Sequence, residues 1–266
     1  MELVTIGMNM HSMTMRKPCL LFAIGTSVLL QAQVRVAHVL VALCDNEHQG
    51  IVKVPPGIGN GQKPSTNLYW GAGYGVKTHF TRSEEWVAVP STRPSTPHIL
   101  DRAIWKHRDS AVYLVADAYD GRNIREATED LLRFSSGEMP ERIAVDGRTI
   151  IAGGGAQLIG YVGHDGLMDF ALTERFEGSP EPERRTIILA CISKHYFTPH
   201  LRATGASPLL WTTGLMAPEA YTLKASLNAW VARSEDGVVR ERAAVAYDKY
   251  QHCGIKGARR LLVTGW

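Results

Sequence analysis

The chain carries two short apolar runs, Gln157-Leu-Ile-Gly-Tyr-Val-Gly-His-Asp-Gly166 and Arg185-Thr-Ile-Ile-Leu-Ala-Cys-Ile-Ser193, and each includes a reactive side chain near its end. Runs of this kind are typical of strands buried in a parallel sheet. One run leads to His164 and the other to Cys191. Because ligands and catalytic groups collect at the carboxyl ends of strands in an open α/β sheet, we expect the imidazole and the thiol to emerge together there.

The rest of the chain alternates further strands with helices. Strands are predicted where β-branched residues cluster, and helices where apolar residues recur at helical spacing. This alternation favours an α/β fold, a three-layer αβα sandwich with a mostly parallel sheet. The predicted strands cover residues 34–43, 85–89, 111–118, 157–163, 186–191 and 208–213. The predicted helices cover residues 69–80 with Asn67 as cap, 124–134 with Gly137 beyond its end, 196–203, 217–232 and 238–251.

The first 32 residues have the pattern of a secretory signal. Basic Arg16 and Lys17 precede an apolar segment over residues 20–30, and Ala32 is a small residue at a cleavage point. The segment is shorter than the roughly 20 residues that span a bilayer, so no stable membrane span is expected after cleavage. Translation starting at Met15 fits this interpretation. We therefore expect a signal over residues 1–32, one domain over residues 33–266, and a secreted or periplasmic protein. The alternative is an ordinary buried segment of a cytosolic protein.

The cysteine count bears on the same question. Cleavage would remove Cys19 and leave Cys44, Cys191 and Cys253. An odd count in an exported protein allows one disulfide and one free thiol. Pairing of Cys44 with Cys253 would leave Cys191 free, and the alternative is three reduced cysteines. Cys44 and His48 have a metal-ligand spacing, but no second ligand pair follows, so no metal is expected.

Composition and missing motifs exclude several function classes. The 266 residues are 45% hydrophobic and 21% charged, with a net charge of +3. This dispersed charge, without alternating aromatic and basic residues, argues against nucleic-acid binding. The triple glycine at 153–155 lacks the Gly-Lys-Ser/Thr ending of a phosphate loop. No Gly-x-Ser-x-Gly elbow occurs, which argues against a serine α/β-hydrolase. We expect no cofactor.

A cysteine attacks as a thiolate, and a neighbouring imidazole can take its proton. His164 and Cys191 are far enough apart for one crossover between adjacent parallel strands. The amides of Gly166 and Cys191 are candidates for an oxyanion hole, because glycine allows close approach of the backbone to a substrate. The alternative is structural: a buried cysteine at a strand end is usually inert, and a histidine beside glycines can simply satisfy a turn.

These two strands resemble the caspase-like cysteine peptidases, which include caspases, legumains, gingipains and clostripain. The resemblance covers the motif strands and the strand–helix order over residues 34–213. It implies that His164 is the general acid/base and Cys191 the nucleophile of a secreted endopeptidase acting on peptide or protein substrates. In the family's motif Gly directly follows His, whereas Asp165 stands between His164 and Gly166 here. The alternative is a non-catalytic secreted binding protein that retains the fold.

Five further residues are candidates for a substrate pocket. By the same resemblance, the loop holding Asp45 and Glu47 borders the specificity pocket, where acidic groups would favour a basic substrate side chain; the alternative is a solvated loop. Asp117 lies at the end of the strand over residues 111–118 and would orient substrate or, together with Asp120, cap the next helix. Trp211 and Thr212, in the stretch 211–216 at the end of the strand over residues 208–213, would line the cleft or form an apolar edge of the core.

Overall fold

The computed structural model describes residues 1–3, 7 and 34–266. Contacts divide the chain into two units, Met1–Ala32 and Gln33–Trp266, and every helix and strand of the described residues lies in the second unit. The apolar segment of the predicted signal therefore lies outside the described residues. Across the described ranges, no helix combines the length and apolar character needed to cross a bilayer.

One mixed, mostly parallel sheet of eight strands organises the domain, in the order β10-β9-β8-β7-β1-β4-β3-β2, and a separate hairpin joins β5 to β6. The five strands β9, β8, β7, β1 and β4 are parallel, whereas β2, β3 and β10 are antiparallel to their neighbours. The strands are β1 (Arg35–Ala42), β2 (Trp86–Val89), β3 (Ile99–His107), β4 (Val112–Tyr119), β5 (Pro140–Val145), β6 (Arg148–Gly153), β7 (Leu158–Val162), β8 (Arg185–Leu189), β9 (Ser207–Thr212) and β10 (Leu262–Val263). The helices are α1 (Val76–Thr81), α2 (Ile124–Ser136), α3 (Ser193–Thr204), α4 (Ala220–Val231), α5 (Asp236–Gln251) and α6 (Ile255–Leu261).

Helices cover both faces of the sheet, so the domain has three layers. Along β1 the side chains alternate between two hydrophobic cores, as a pleated strand requires. Val39 and Val41 belong to the core formed with α1, α4 and α5, whereas Leu40 and Ala42 belong to the core formed with α2 and α3. A strand that is buried on both faces must be apolar at nearly every position, which explains the continuous apolar runs of the sequence.

The α/β class and the parallel centre of the sheet are confirmed. Each predicted strand corresponds to an observed strand within a few residues, and the helices predicted after residue 124 correspond to α2, α3, α4 and α5. Gly137 ends α2 with φ of 93°, a left-handed conformation that glycine adopts without penalty.

The helix predicted over residues 69–80 is wrong, because only α1 at its end is helical. Turns replace the first part, and a side chain at Gly71 or Gly75 would collide with nearby backbone atoms. Asn67 caps no helix; its amide group bonds both backbone groups of Cys44 instead. The hairpin β5–β6 was not predicted, although Asp146 and Gly147 make a turn with positive φ between its strands.

Candidate active site

The two reactive side chains follow neighbouring strands. β7 pairs with β8 in parallel, and the register places Val162 opposite Leu189 at the last paired position. His164 follows two residues after β7 ends, and Cys191 two residues after β8 ends. Both side chains line the same cavity, which has a volume of about 270 Å³. The structure thus brings an imidazole and a thiol to one cavity at the carboxyl edge of the sheet.

Cys191 occupies a sharp turn between β8 and α3. The residue after it, Ile192, has φ of 52°, and α3 begins directly afterwards at Ser193. A β-branched residue in the left-handed region is an outlier that costs about 1–3 kcal/mol, and such strain clusters at functional sites. The turn leaves Cys191 partly exposed, two residues before the start of α3, where the helix dipole is positive.

The thiol is held against the loop that follows β9. Its Sγ lies 3.4 Å from the amide nitrogen of Met216, which donates to it, and 3.6 Å from the carbonyl oxygen of the same residue. Burial raises the pKa of Cys191; the Met216 backbone contact opposes this, and the charge of Asp165 adds to it. The net effect is a raised pKa, so the resting thiol is neutral and needs a base before it can attack.

A carboxylate orients His164. The ring atom Nε2 lies 2.8 Å from Oδ2 of Asp169, and the imidazole is 5% exposed. The Tyr161 hydroxyl donates to the carbonyl oxygen of His164 at 2.8 Å and fixes the backbone there. Asp169 also accepts the Gly50 amide at 2.9 Å, which ties it to the loop after β1. With Nε2 donating to Asp169, the neutral ring keeps Nδ1 as the nitrogen that can accept a proton.

Gly163 borders the cavity, as does Gly50, whereas Gly166 does not line it. A side chain at Gly166 would meet the Phe170 ring at 2.8 Å, so this glycine serves close packing. Gly163 has φ of 153° and approaches the Ala42 carbonyl too closely for any side chain. Within residues 34–266, the amides of Asp165, Gly166 and Cys191 donate to no protein acceptor, and of these three residues only Cys191 lines the cavity. The Cys191 amide is therefore available there as a donor to an oxyanion.

The acidic residues Asp45 and Glu47 of the loop after β1 do not line the cavity. Asp45 is buried, and its carboxylate accepts from the amides of Glu47 and His48, from the His48 ring and from the Gln62 side chain. Burial tends to raise the pKa of Asp45, but these hydrogen bonds lower it below its ordinary value. Glu47 is exposed and does not line the cavity. The structure thus assigns Asp45 to organising the loop.

The other three pocket candidates also lie outside the cavity wall. Asp117 is fully buried inside β4, where it pairs with Arg102 and His38. Trp211 is buried in β9 and donates from its indole to the Gly265 carbonyl at 3.0 Å. Thr212 is buried and bonds the Ala190 carbonyl. Asp120, which was weighed as a helix cap, accepts the Arg122 amide at the start of a short 3-10 turn.

Apolar groups from two loops form most of the cavity wall. The loop after β1 and the loop after β9 supply most of them, and Met168 follows β7. No Asp, Glu, Lys or Arg lines the cavity within the described part of the chain. The lining residues are Gly50, Ile51, Val52, Val54, Tyr69, Gly163, His164, Met168, Cys191, Leu215, Met216 and Pro218.

The disulfide considered between Cys44 and Cys253 does not form. Both cysteines are free, with Cys44 buried at the end of β1 and Cys253 exposed after α5. Burial raises the pKa of Cys44 to about 11, so this thiol stays protonated. Among residues 1–3, 7 and 34–266, no group of three or more potential ligands could hold a metal ion.

Comparison with protein-family models, with curated proteins and with solved structures found no match. The resemblance to caspase-like peptidases therefore stays a prediction that depends on the two motif strands.

Sequence reasoning missed two contributors to the site, Asp169 and Tyr69. The spacing of Asp169, five residues after His164 in a short turn, was the available signal for it. Tyr69 reaches the site from a distant loop, and no local pattern identifies such a residue. In the stretch 211–216, which was expected to line the cleft, Leu215 and Met216 line the cavity.

Proposed function

We propose that the protein is a cysteine-type hydrolase with a caspase-like dyad, an endopeptidase that cleaves through an acyl-enzyme. The proposal depends on one observation above all, that Cys191 and an Asp169-oriented His164 line the same cavity. A nucleophile, a base and a group orienting the base are the three parts that such catalysis requires. The strained turn at Ile192, directly after the nucleophile, supports the same function.

The acylation step uses both reactive groups. His164 takes the thiol proton on Nδ1 while the sulfur of Cys191 forms a bond to the substrate carbonyl carbon. The carbonyl oxygen becomes an oxyanion, for which the amide of Cys191 on the cavity wall and the amide of Gly166 are the candidate donors. When the carbon–nitrogen bond breaks, His164 returns the proton to the leaving amine, and the acyl group remains on sulfur as a thioester.

Deacylation reverses the proton path. His164 takes a proton from water, the water oxygen bonds to the carbonyl carbon, and the carbon–sulfur bond breaks. The proton then returns to sulfur, so the acid is released and the free thiol is restored. Asp169 stabilises the imidazolium that forms in both steps, because its carboxylate already lies 2.8 Å from Nε2.

A peptide acyloxymethyl ketone provides the test, because it alkylates a thiol that is activated beside a bound peptide. We expect one label per chain at Cys191, lost in Cys191→Ala and in His164→Ala. Cys44→Ala is the matched control and should retain the label, because Cys44 is buried and protonated. Silence with probes bearing Leu, Phe, Arg, Lys, Asp and Asn would overturn the proposal. It would favour a non-catalytic binding protein that uses the same apolar cavity.

We also propose that the protein is exported, because residues 16–32 combine a basic start, an apolar segment and a small residue. Expression in a cell with a secretory system, followed by N-terminal sequencing, tests this. Cleavage near Ala32 is expected, and an intact N-terminus on a retained protein would contradict it.

A further inference from the structure

The cavity beside Cys191 is apolar around most of its wall. Ile51, Val52 and Val54 come from the loop after β1, and Leu215 and Met216 from the loop after β9. Within the described residues, no Asp, Glu, Lys or Arg side chain lines the cavity, and Lys53, which lies between Val52 and Val54 in the chain, is not part of the wall. The loop after β1 and the loop after β9, which are distant in the sequence, thus both contribute apolar side chains to this cavity.

Part of this apolar surface is exposed to solvent. Val52 is 93% exposed, Leu215 is 71% exposed and Met168 is 39% exposed, although all three line the cavity. Exposed apolar side chains grouped around a concave site mark a place where another molecule is bound. Because these side chains surround the cavity that holds the thiol, the group bound there would be the part of the substrate next to the scissile bond.

Three acidic groups near the cavity are withheld from a substrate: Asp165 is fully buried and does not line the cavity, and Asp169 and Asp45 are already paired. Asp169 is bonded to His164 and Gly50, and the Asp45 carboxylate is saturated by its own loop. A charged substrate side chain that enters the cavity would lose its hydration. Because no Asp, Glu, Lys or Arg of the described residues lies on the wall to pair with it, its transfer from water into the cavity is strongly unfavourable. An apolar side chain would instead bury its surface against Ile51 and Met216.

We propose that the cavity selects an uncharged, apolar side chain on the substrate residue whose carbonyl Cys191 attacks. This inference depends on the proposed hydrolase function and specifies its substrate class. It replaces the basic side chain that Asp45 and Glu47 had suggested, because neither of these residues lines the cavity. A volume of about 270 Å³ is small for a binding site, which suits a single side chain.

The test uses matched peptide aminomethylcoumarin amides that differ only in the residue before the fluorophore: Leu, Phe, Ala, Arg or Asp. We expect kcat/KM for the Leu or Phe peptide to exceed that for the Arg and Asp peptides by about 100-fold. Equal cleavage of all five peptides, or preference for Arg or Asp, would overturn the inference.

Charge substitutions at the rim sharpen this test. Val52→Asp and Leu215→Asp should each lower kcat/KM for the Leu peptide and raise it for the Arg peptide, shifting the ratio by about 10-fold or more. Val87→Asp is the matched control, since Val87 is an exposed valine on β2 that does not line the cavity. An unchanged ratio in both rim variants would contradict the assignment.

The two proposals fail in different ways. If the Arg peptide is cleaved best and Cys191→Ala abolishes cleavage, the substrate class is wrong and the hydrolase function stands. If no peptide is cleaved and Cys191 takes no label, the hydrolase function fails. In that case, saturable binding of the uncleaved Leu peptide, weakened by Leu215→Asp, would still identify an apolar binding site.

Discussion

Two buried histidines of the domain, His38 and His164, each pair with an aspartate, and the difference between the two pairs distinguishes a structural pair from a catalytic one. His38 on β1 contacts Asp117 through Nε2 at 2.9 Å, and its Nδ1 accepts the Gly153 amide at 2.8 Å. His164 contacts Asp169 in the same way at 2.8 Å. Within the described residues, however, its other ring nitrogen is not occupied, and the ring borders a cavity that also holds a thiol.

The hydrogen-bond partners of the ring nitrogens explain the contrast between His38 and His164. Both ring nitrogens of His38 have partners, so the ring has no free site for a proton in transit. Asp117 accepts a two-point contact from Arg102 at 2.6 and 2.7 Å, and Arg102 makes a second two-point contact with Glu141. Burial tends to raise the pKa of Asp117, but these bonds lower it below its ordinary value. A histidine–aspartate pair therefore indicates catalysis only where one ring nitrogen stays open beside a nucleophile.

The largest expected effect comes from exchanging the two histidines for alanine. His164→Ala should lower kcat/KM by at least 10³-fold, because the neutral thiol loses its base, while the melting temperature changes little. His38→Ala should lower the free energy of unfolding by roughly 2–4 kcal/mol and leave the activity of the folded fraction unchanged. Peptide hydrolysis and thermal unfolding measured on both variants check this. Loss of activity in His38→Ala together with loss of stability in His164→Ala would contradict the distinction between the two pairs.

The second prediction concerns Asp117. Asp117→Asn should lower the free energy of unfolding by about 3–5 kcal/mol, because Arg102 is left buried beside an uncharged partner. Glu141→Gln is the control, with an expected loss of about 1 kcal/mol or less, since the Glu141 side chain is 38% exposed. Denaturant unfolding measures both changes. Similar losses in the two variants would contradict the interpretation of Asp117 as the structural centre of the buried pair.

The third prediction uses Asp165, the residue between His164 and Gly166. Burial raises its pKa from 3.8 to about 7; the Leu167 amide opposes this and the charge of Asp169 adds to it. Because the folded state holds this proton more tightly than the unfolded state, stability falls as pH rises from about 4 to about 7 and then levels off. The Asp165→Asn variant lacks this titration. Its free energy of unfolding relative to that of wild type should therefore increase across this pH window, by about 4 kcal/mol at most.

Unfolding by urea between pH 4 and pH 8 measures this difference. The charge of Asp165 also raises the pKa of Cys191, so the pH midpoint for alkylation of Cys191 should fall in the same variant. A constant stability difference at all pH values would show that Asp165 does not titrate in this window.

The smallest expected effect belongs to Asp169. Asp169→Asn removes the negative charge that is hydrogen-bonded to His164. A hydrogen bond to a charged group contributes about 1.5–3 kcal/mol, so kcat should fall by about 10- to 100-fold. Asp146→Asn is the matched control, because Asp146 lies exposed in the β5–β6 turn with positive φ, a conformation that asparagine tolerates. Steady-state kinetics with the Leu peptide distinguishes them. Equal activity in both variants would mean that Asp169 does not orient the base.

Local pattern was sufficient to predict the strands that carry His164 and Cys191, because a doubly buried parallel strand has to be apolar throughout. It was insufficient for Asp117, which was assigned to a strand end. β4 continues to Tyr119, and the partner Arg102 lies on β3, which joins the sheet antiparallel. Local pattern was also insufficient to predict the complete cavity wall, because Val52 and Leu215 are distant in the sequence and line one cavity only after the chain has folded. Contacts between distant loops leave no periodic trace in the sequence.

The most direct test of the account is to trap the acyl-enzyme. The p-nitrophenyl ester of an N-blocked leucine would be mixed with the protein, quenched in acid and examined by peptide mass spectrometry, in wild type and in His164→Ala. The account predicts a rapid burst of one acyl group on the peptide that contains Cys191, slowed at least 100-fold in His164→Ala. Acylation of Cys253 alone, or of Cys191 at the same rate without His164, would contradict it.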